Sequence, residues 1–241
     1  MDRTEFLTAL DREGLSFASA CERAGLRAPV PACPEWAIID LLWHLTLVHH
    51  FWRSMTAGLL PSYETYVPLD RPADSELLAV YRSGVTDTVR VLADADPSAE
   101  MWTWSSDRTP AFVIRRLAHE TVVHRWDADQ AAGQPDPIEA VLASDGIDEF
   151  LQYFNNETAP DAAPVGGSVH LHCTDVAGEW TARESADGFV TTREHAKGDC
   201  ALRGAASDLL LVVWRRLPIS TVDVVGDAGV ATRFVAHSGT T

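Results

Sequence analysis

The sequence predicts an α+β protein built in two parts: an all-helical bundle, then a smaller mixed domain. Three observations carry this. Up to residue 155, apolar side chains recur at three- and four-residue spacing, the period of amphipathic helices. The run "NNETAPDAAPVGGS" then interrupts the pattern with Pro, Gly, Ala and Asn. Beyond it come short alternating segments separated by Gly and Asp turns, the signature of strands. The expected domains are 1–155 and 165–241. With 241 residues, 46% of them hydrophobic, the chain can bury a core in one large domain or in each of two smaller ones.

Residues 3–25 place Phe6, Leu7, Leu10, Leu15, Phe17, Ala20 and Cys21 at helical spacing. "RAPVPACPEW" breaks that helix with three prolines. Pro34 suits the first turn of the next helix and Glu35 its positive end, so a helix is expected over 35–57. A loop with Pro61, Pro68 and Pro72 follows, then helices over 74–94, 110–132 and about 137–155. Together they make a bundle, up-down in topology, of four main helices and one extra. In the second part "SVHLHCTD", "EWTARES", "GFVTTRE" and "GDCALRG" read as strands. "AASDLLLVVWRR" reads as a helix, "STVDVVGD" as a strand and "AGVATRFVAHS" as a last helix.

The net charge of −16 and pI near 4.8 argue against nucleic acid or an anionic membrane as the main partner. The N-terminus shows no secretory signal, and no apolar run is long enough to span a bilayer. Cys21, Cys33, Cys173 and Cys200 are widely spaced with no C-x-x-C, which predicts reduced thiols in a cytoplasmic protein.

The stretch "HETVVHRWD" approaches the H-E-x-x-H zinc-protease motif, but His119 and His124 are five apart, roughly 140° around a helix. Glu120 and His124 are four apart and share a face. They fall on a stripe of Val113, Leu117, Glu120, His124, Asp127 and Ala128. A stripe of Ala37, Leu41, His44, Val48, Phe51 and Met55 on the earlier helix puts His44 in apolar surroundings too. His49 and His50 fall well away from that stripe and are expected to meet water. Imidazole and carboxylate are good ligands for zinc or a similar divalent ion. His44, Glu120 and His124 are therefore a candidate triad, with Asp127 placed to orient His124 or a bound water and Asp40 placed behind His44. The same residues also fit a hydrogen-bonded core histidine and a buried Glu–His pair, and spacing does not separate these readings. His170 and His172 share a strand face as a second candidate metal pair, with no third ligand evident.

"CPEWAIIDLLWHL", followed about 75 residues later by "HETVVHRWDAD", resembles the mycothiol-dependent maleylpyruvate isomerase family, within the broader DinB-like group of metal-binding four-helix bundles. "VHLHCTD", "GEWTARE", "DCALRGAASDLLLVVWRRLP" and "VDVVGD" resemble the family's small sterol-carrier-like α+β domain, so the resemblance covers essentially the whole chain. It implies His44, Glu120 and His124 as metal ligands, zinc as the usual metal and mycothiol as thiol cosubstrate. It further implies an isomerase or thiol S-transferase acting on a small electrophilic substrate, as a monomer or homodimer. Arg216, in "WRRLP", matches a position where family members often carry Arg and is a candidate to bind a substrate carboxylate; a solvated charge at a helix C-terminus is the other reading. Arg125 is expected in a structural ion pair. The competing function is a non-enzymatic, metal-stabilised protein that binds a small ligand.

Overall fold

The computed structural model describes residues 1–238. It is a mixed α+β protein that divides into two compact units, Met1–Asp136 and Pro137–Thr241.

In the first unit, α1 (Arg3–Ala24), α2 (Ile38–Ala57), α3 (Leu77–Asp94) and α4 (Pro110–Ala131) pack as the expected four-helix bundle. Each start is set by local chemistry. Asp2 and Glu5 close a reciprocal cap on α1, with Glu5 N–H donating to Asp2 and Asp2 N–H to Glu5 at 2.9 and 2.6 Å. Thr109 caps α4, and Pro110 at its first position costs no hydrogen bond. The core takes Phe17, Leu41, Leu42, Leu45, Leu77, Tyr81 and Val85. Each such side chain contributes on the order of 1.5–3 kcal/mol by leaving water. Gly14 lets α1 approach α3: a Cβ there would lie 2.8 Å from Val85. Arg125, on α4, donates to Glu13 and Asp129 at 2.9 and 3.0 Å, the ion pair expected of it, and so pins α1 to α4 inside the unit.

The start of the second helix needs correction. The helix expected from residue 35 begins at Ile38, because Cys33–Ala37 (β2) pairs antiparallel with Pro29–Val30 (β1). The three prolines favour extended backbone, and the Asp40 carboxylate, accepting from Ala37 N–H at 3.0 Å, caps the helix three residues later than Pro34 suggested. Asp40 is therefore an exposed helix cap, and among the described residues its carboxylate bonds Ala37 N–H rather than His44. The fifth helix, α5 (Ala140–Glu149), continues as a π turn over Phe150–Phe154 and lies in the second unit. There Trp180 Nε1 donates to Asp148, and Ser144 Oγ to the Ala177 carbonyl, at 3.0 and 2.9 Å. The structural division thus falls at 136/137, ahead of the boundary expected between 155 and 165.

The second unit carries a sheet of β3 (Ser168–Cys173), β4 (Glu179–Ser185), β5 (Gly188–Thr192), β6 (Cys200–Gly204) and β7 (Asp223–Gly226). Their order is β5-β4-β3-β6-β7, antiparallel except for the parallel β3–β6 pair. The helices α6 (Ala206–Val213) and α7 (Ala228–His237) pack on β3 and β6. Alternation gives β3 one fully apolar side, Val169, Leu171 and Cys173, and places Ser168, His170 and His172 on the other. The strands and helices expected from 168 onward all form.

Candidate metal centre

The helices α2 and α4 bring His44, Glu120 and His124 together. One ligating atom from each lies within 4.8 Å of one from both others. The Glu120 Oε1 atom is shared: His44 Nε2 stands 3.2 Å from it and His124 Nε2 3.3 Å. The two imidazoles meet edge to face, centroids 5.1 Å apart. Trp36, on β2, walls the other side of His44 at 5.1 Å between ring centroids.

The groups behind these three fix their chemistry. Asp127 is fully buried and its Oδ2 lies 2.9 Å from His124 Nδ1. An Nδ1–H bond to that carboxylate leaves the Nε2 lone pair for a cation. Arg116 pairs with the second Glu120 oxygen, Oε2. Burial alone would raise the Glu120 pKa, but Arg116, His124 and His44 hold it well below the usual carboxylate range. Burial would likewise lower His124; hydrogen bonds and charge from Asp127 and Glu120 outweigh it and raise the imidazole to about 9. The same carboxylates that favour a protonated His124 would favour a cation in its place. Two imidazole nitrogens and one ionised carboxylate oxygen suit zinc and its neighbours, and three protein ligands leave positions open to a substrate.

His49 is not in water. It is buried, 1% exposed, and its Nε2 lies 2.8 Å from Thr121 Oγ1 on α4. Burial, with the Arg53 charge, drives its pKa down to about 3, so it is neutral in the core. The helical wheel assumed one inward face for α2, yet α3 and α4 both pack on it and bury a wider arc. His50 is half-buried, with Nδ1 3.0 Å from the Tyr66 hydroxyl. Arg216 follows α6 in the second unit, where its guanidinium donates to the Trp214 carbonyl at 2.9 Å. Arg116 was not anticipated. Arg116 had a visible signal, since it stands one helical turn before Glu120 at the spacing of an ion pair. Trp36, which the expected helix over 35–57 would have carried, reaches His44 from the β1–β2 hairpin instead.

Two family models match the chain. The mycothiol maleylpyruvate isomerase N-terminal domain covers residues 7–129, and the C-terminal domain of the same isomerases covers residues 141–233. The chain belongs to the mycothiol maleylpyruvate isomerase family. Two solved structures share the isomerase fold, each over 93% of both chains. One is a mycothiol-dependent maleylpyruvate isomerase, at 12% identity and a TM-score of 0.59. The other is a histidine-to-alanine variant under the same name, at 10% identity and a TM-score of 0.63. Comparison with curated proteins finds no match. The division between the family's two domains coincides with that between the two structural units, and α5 falls with the second in both.

Proposed function

We propose that this member of the family is a metal-dependent enzyme in which an external thiol, mycothiol, attacks a small electrophile, as an isomerase or an S-transferase. The observation that carries the reading is the His44, Glu120 and His124 set, with its carboxylate braced by Arg116 and its imidazole by Asp127.

His44, Glu120 and His124 would hold a zinc-class ion, which would lower the pKa of a thiol and so supply thiolate, the reactive form, at neutral pH. Three of the chain's own thiols, Cys21, Cys173 and Cys200, are poorly suited to that purpose. Burial pushes Cys21 far up, Cys173 to about 12 and Cys200 to about 11. These buried thiols also fit a reducing, cytoplasmic setting. Asp127 holds the Nδ1 proton of His124 and so keeps Nε2 directed at the ligand position. Isomerisation requires thiolate to add to an activated cis double bond, rotation about the resulting single bond, and loss of the same thiolate. S-transfer keeps the new carbon–sulfur bond. Arg216 is the candidate anion-binding group of the second unit, suited to a substrate carboxylate.

The test is metal content and thiol-dependent turnover of maleylpyruvate, with mycothiol as cosubstrate, in the wild type, His44→Ala and Glu120→Ala. Metal and turnover in the wild type and neither in the variants support the proposal. Turnover that survives either substitution defeats it. Metal without turnover across a panel of electrophiles points to a ligand-binding protein instead.

A further inference from the structure

A second group of potential ligands lies in the sheet unit, apart in sequence from the helical triad. His170 and His172 share one side of β3, as alternation requires. The β3–β4 register sets Glu179 directly opposite His172. The segment between β5 and β6 then returns with His195. One ligating atom from each of His170, His172, Glu179 and His195 lies within 4.8 Å of one from every other. The Glu179 carboxylate faces Nδ1 of both His172 and His195, the latter at 3.1 Å. The His195 ring stands 5.2 Å from that of His170 and 6.4 Å from that of His172, centroid to centroid.

Two features show a built arrangement rather than chance neighbours. The first is His170. It is 8% exposed, and its Nε2 is buried with no hydrogen-bond partner. A buried imidazole nitrogen left open is costly unless something binds it. The second is the returning segment. Asp199 accepts from Ser168 N–H and Oγ, both at 2.7 Å, and anchors the end of that segment to β3. Gly198 permits the close approach, since a Cβ there would lie 3.0 Å from both His170 N and Ser168 O. Arg203, opposite His172 on β6, sits 3.8 Å from Asp223, which offsets its charge beside the cluster.

We propose that His170, His172, Glu179 and His195 form a second divalent-metal site, of the zinc class, that fastens the β5–β6 segment to the sheet. Three imidazoles and one carboxylate suit zinc, cobalt or nickel far better than calcium or magnesium. Four protein ligands complete a tetrahedron, so the site is structural and offers no position to substrate. It depends on none of the residues of the helical triad.

The experiment uses the full chain, stripped with chelator, loaded with zinc chloride and desalted, with zinc counted by elemental analysis. The variants are His44→Ala, His195→Ala and the two combined. The His195 side chain is 78% exposed, so its loss does not threaten folding. About two equivalents in the wild type, one in each single variant and none in the double variant is the expected result. Cobalt loading gives a second readout: the visible absorption of four-coordinate cobalt persists in His44→Ala and disappears in the double variant. Zinc should also raise the melting temperature of His44→Ala but not that of the double variant. A His195→Ala protein that binds as much zinc as the wild type overturns the proposal and leaves a hydrogen-bonded histidine–carboxylate cluster. One equivalent that His44→Ala loses and His195→Ala keeps overturns it as well. One equivalent that His195→Ala loses and His44→Ala keeps defeats the helical metal centre and leaves the sheet site standing.

Discussion

The two histidine–carboxylate clusters are built on opposite geometries. On α4 the candidate ligands recur at four residues, Glu120 to His124, one above the other on a helix face. On β3 they recur at two, His170 to His172, on one side of a pleat. The helical cluster is braced from outside, by Arg116 on Glu120 and Asp127 on His124. Among the described residues, the Glu179 carboxylate is contacted instead by the cluster's own imidazoles, His172 and His195. Protonation differs accordingly. Carboxylates raise His124 to about 9, whereas burial, with the charges of His195 and His172, lowers His170 despite Glu179. At neutral pH the first cluster thus holds a proton that a metal must displace, and His170 does not. Three ligands with external bracing are the arrangement of a working site, and four ligands that brace one another are the arrangement of a fastening.

The largest effect should come from removing Glu120. It is the one oxygen shared by both imidazoles, and its loss also removes the carboxylate partner of Arg116. Loss of a group behind a ligand already costs about 10–100-fold in metal affinity, so loss of the ligand itself should exceed ~100-fold. Chelator competition with Glu120→Ala measures this. An affinity within a few-fold of wild type would put the metal, if any, elsewhere.

Next in size is Asp127→Asn, expected to weaken the helical site by about 10–100-fold while leaving the sheet site unchanged. Its pH profile separates positioning from simple damage. In the wild type, uptake at the helical site should strengthen about tenfold per pH unit up to about 9, where His124 has lost its proton, and then level off. With Asn at 127 the levelling point should fall by a unit or more, because much of the support for the protonated imidazole is gone. An unchanged break would mean that Asp127 does not set the charge of His124.

The metal-free bundle should show two opposed pH limbs. His124 has a raised folded pKa, so its contribution to stability is full below its ordinary 6.5 and fades as pH rises through about 9. His49 has a folded pKa lowered to about 3, so the unfolded chain binds its proton first and stability falls as pH drops from 6.5 toward 3. Urea unfolding of the stripped protein should therefore peak near pH 6.5. His49→Gln should reduce the acid limb, part of which Glu120 also carries through its depressed pKa, and Asp127→Asn should reduce the alkaline limb.

How much of this was legible follows the same division between periodicity and packing. Glu120, His124 and His44 emerged from helical spacing, because four-residue recurrence fixes a shared face without reference to a partner. The β3 histidines emerged from alternation for the same reason. Their two further ligands did not, because Glu179 joins through strand register and His195 through a returning loop, and neither is periodic. His49 was misplaced by the same limit: spacing gives directions around one helix, but α3 and α4 decide which of those directions is buried. The β1–β2 hairpin hid behind prolines that also suit a helix start, and Trp36 with it. The boundary at 136/137 escaped notice because α5 is helical like the bundle before it and belongs to the sheet unit only through contacts such as Trp180 with Asp148.

The smallest effect expected is at Arg216. If its guanidinium binds a substrate carboxylate, Arg216→Lys keeps the charge but loses the bidentate fork and should raise KM several-fold with kcat little changed. Its observed bond to the Trp214 carbonyl supplies the opposite outcome. A purely structural arginine at the end of α6 would leave KM untouched and shift only the melting temperature, by the few degrees that about 1 kcal/mol represents in a chain of this size. Measured on the His195→Ala background, the same substitution also asks whether fastening the β5–β6 segment matters to the α6 turn. Additive effects would mean that the two parts of the sheet unit act independently.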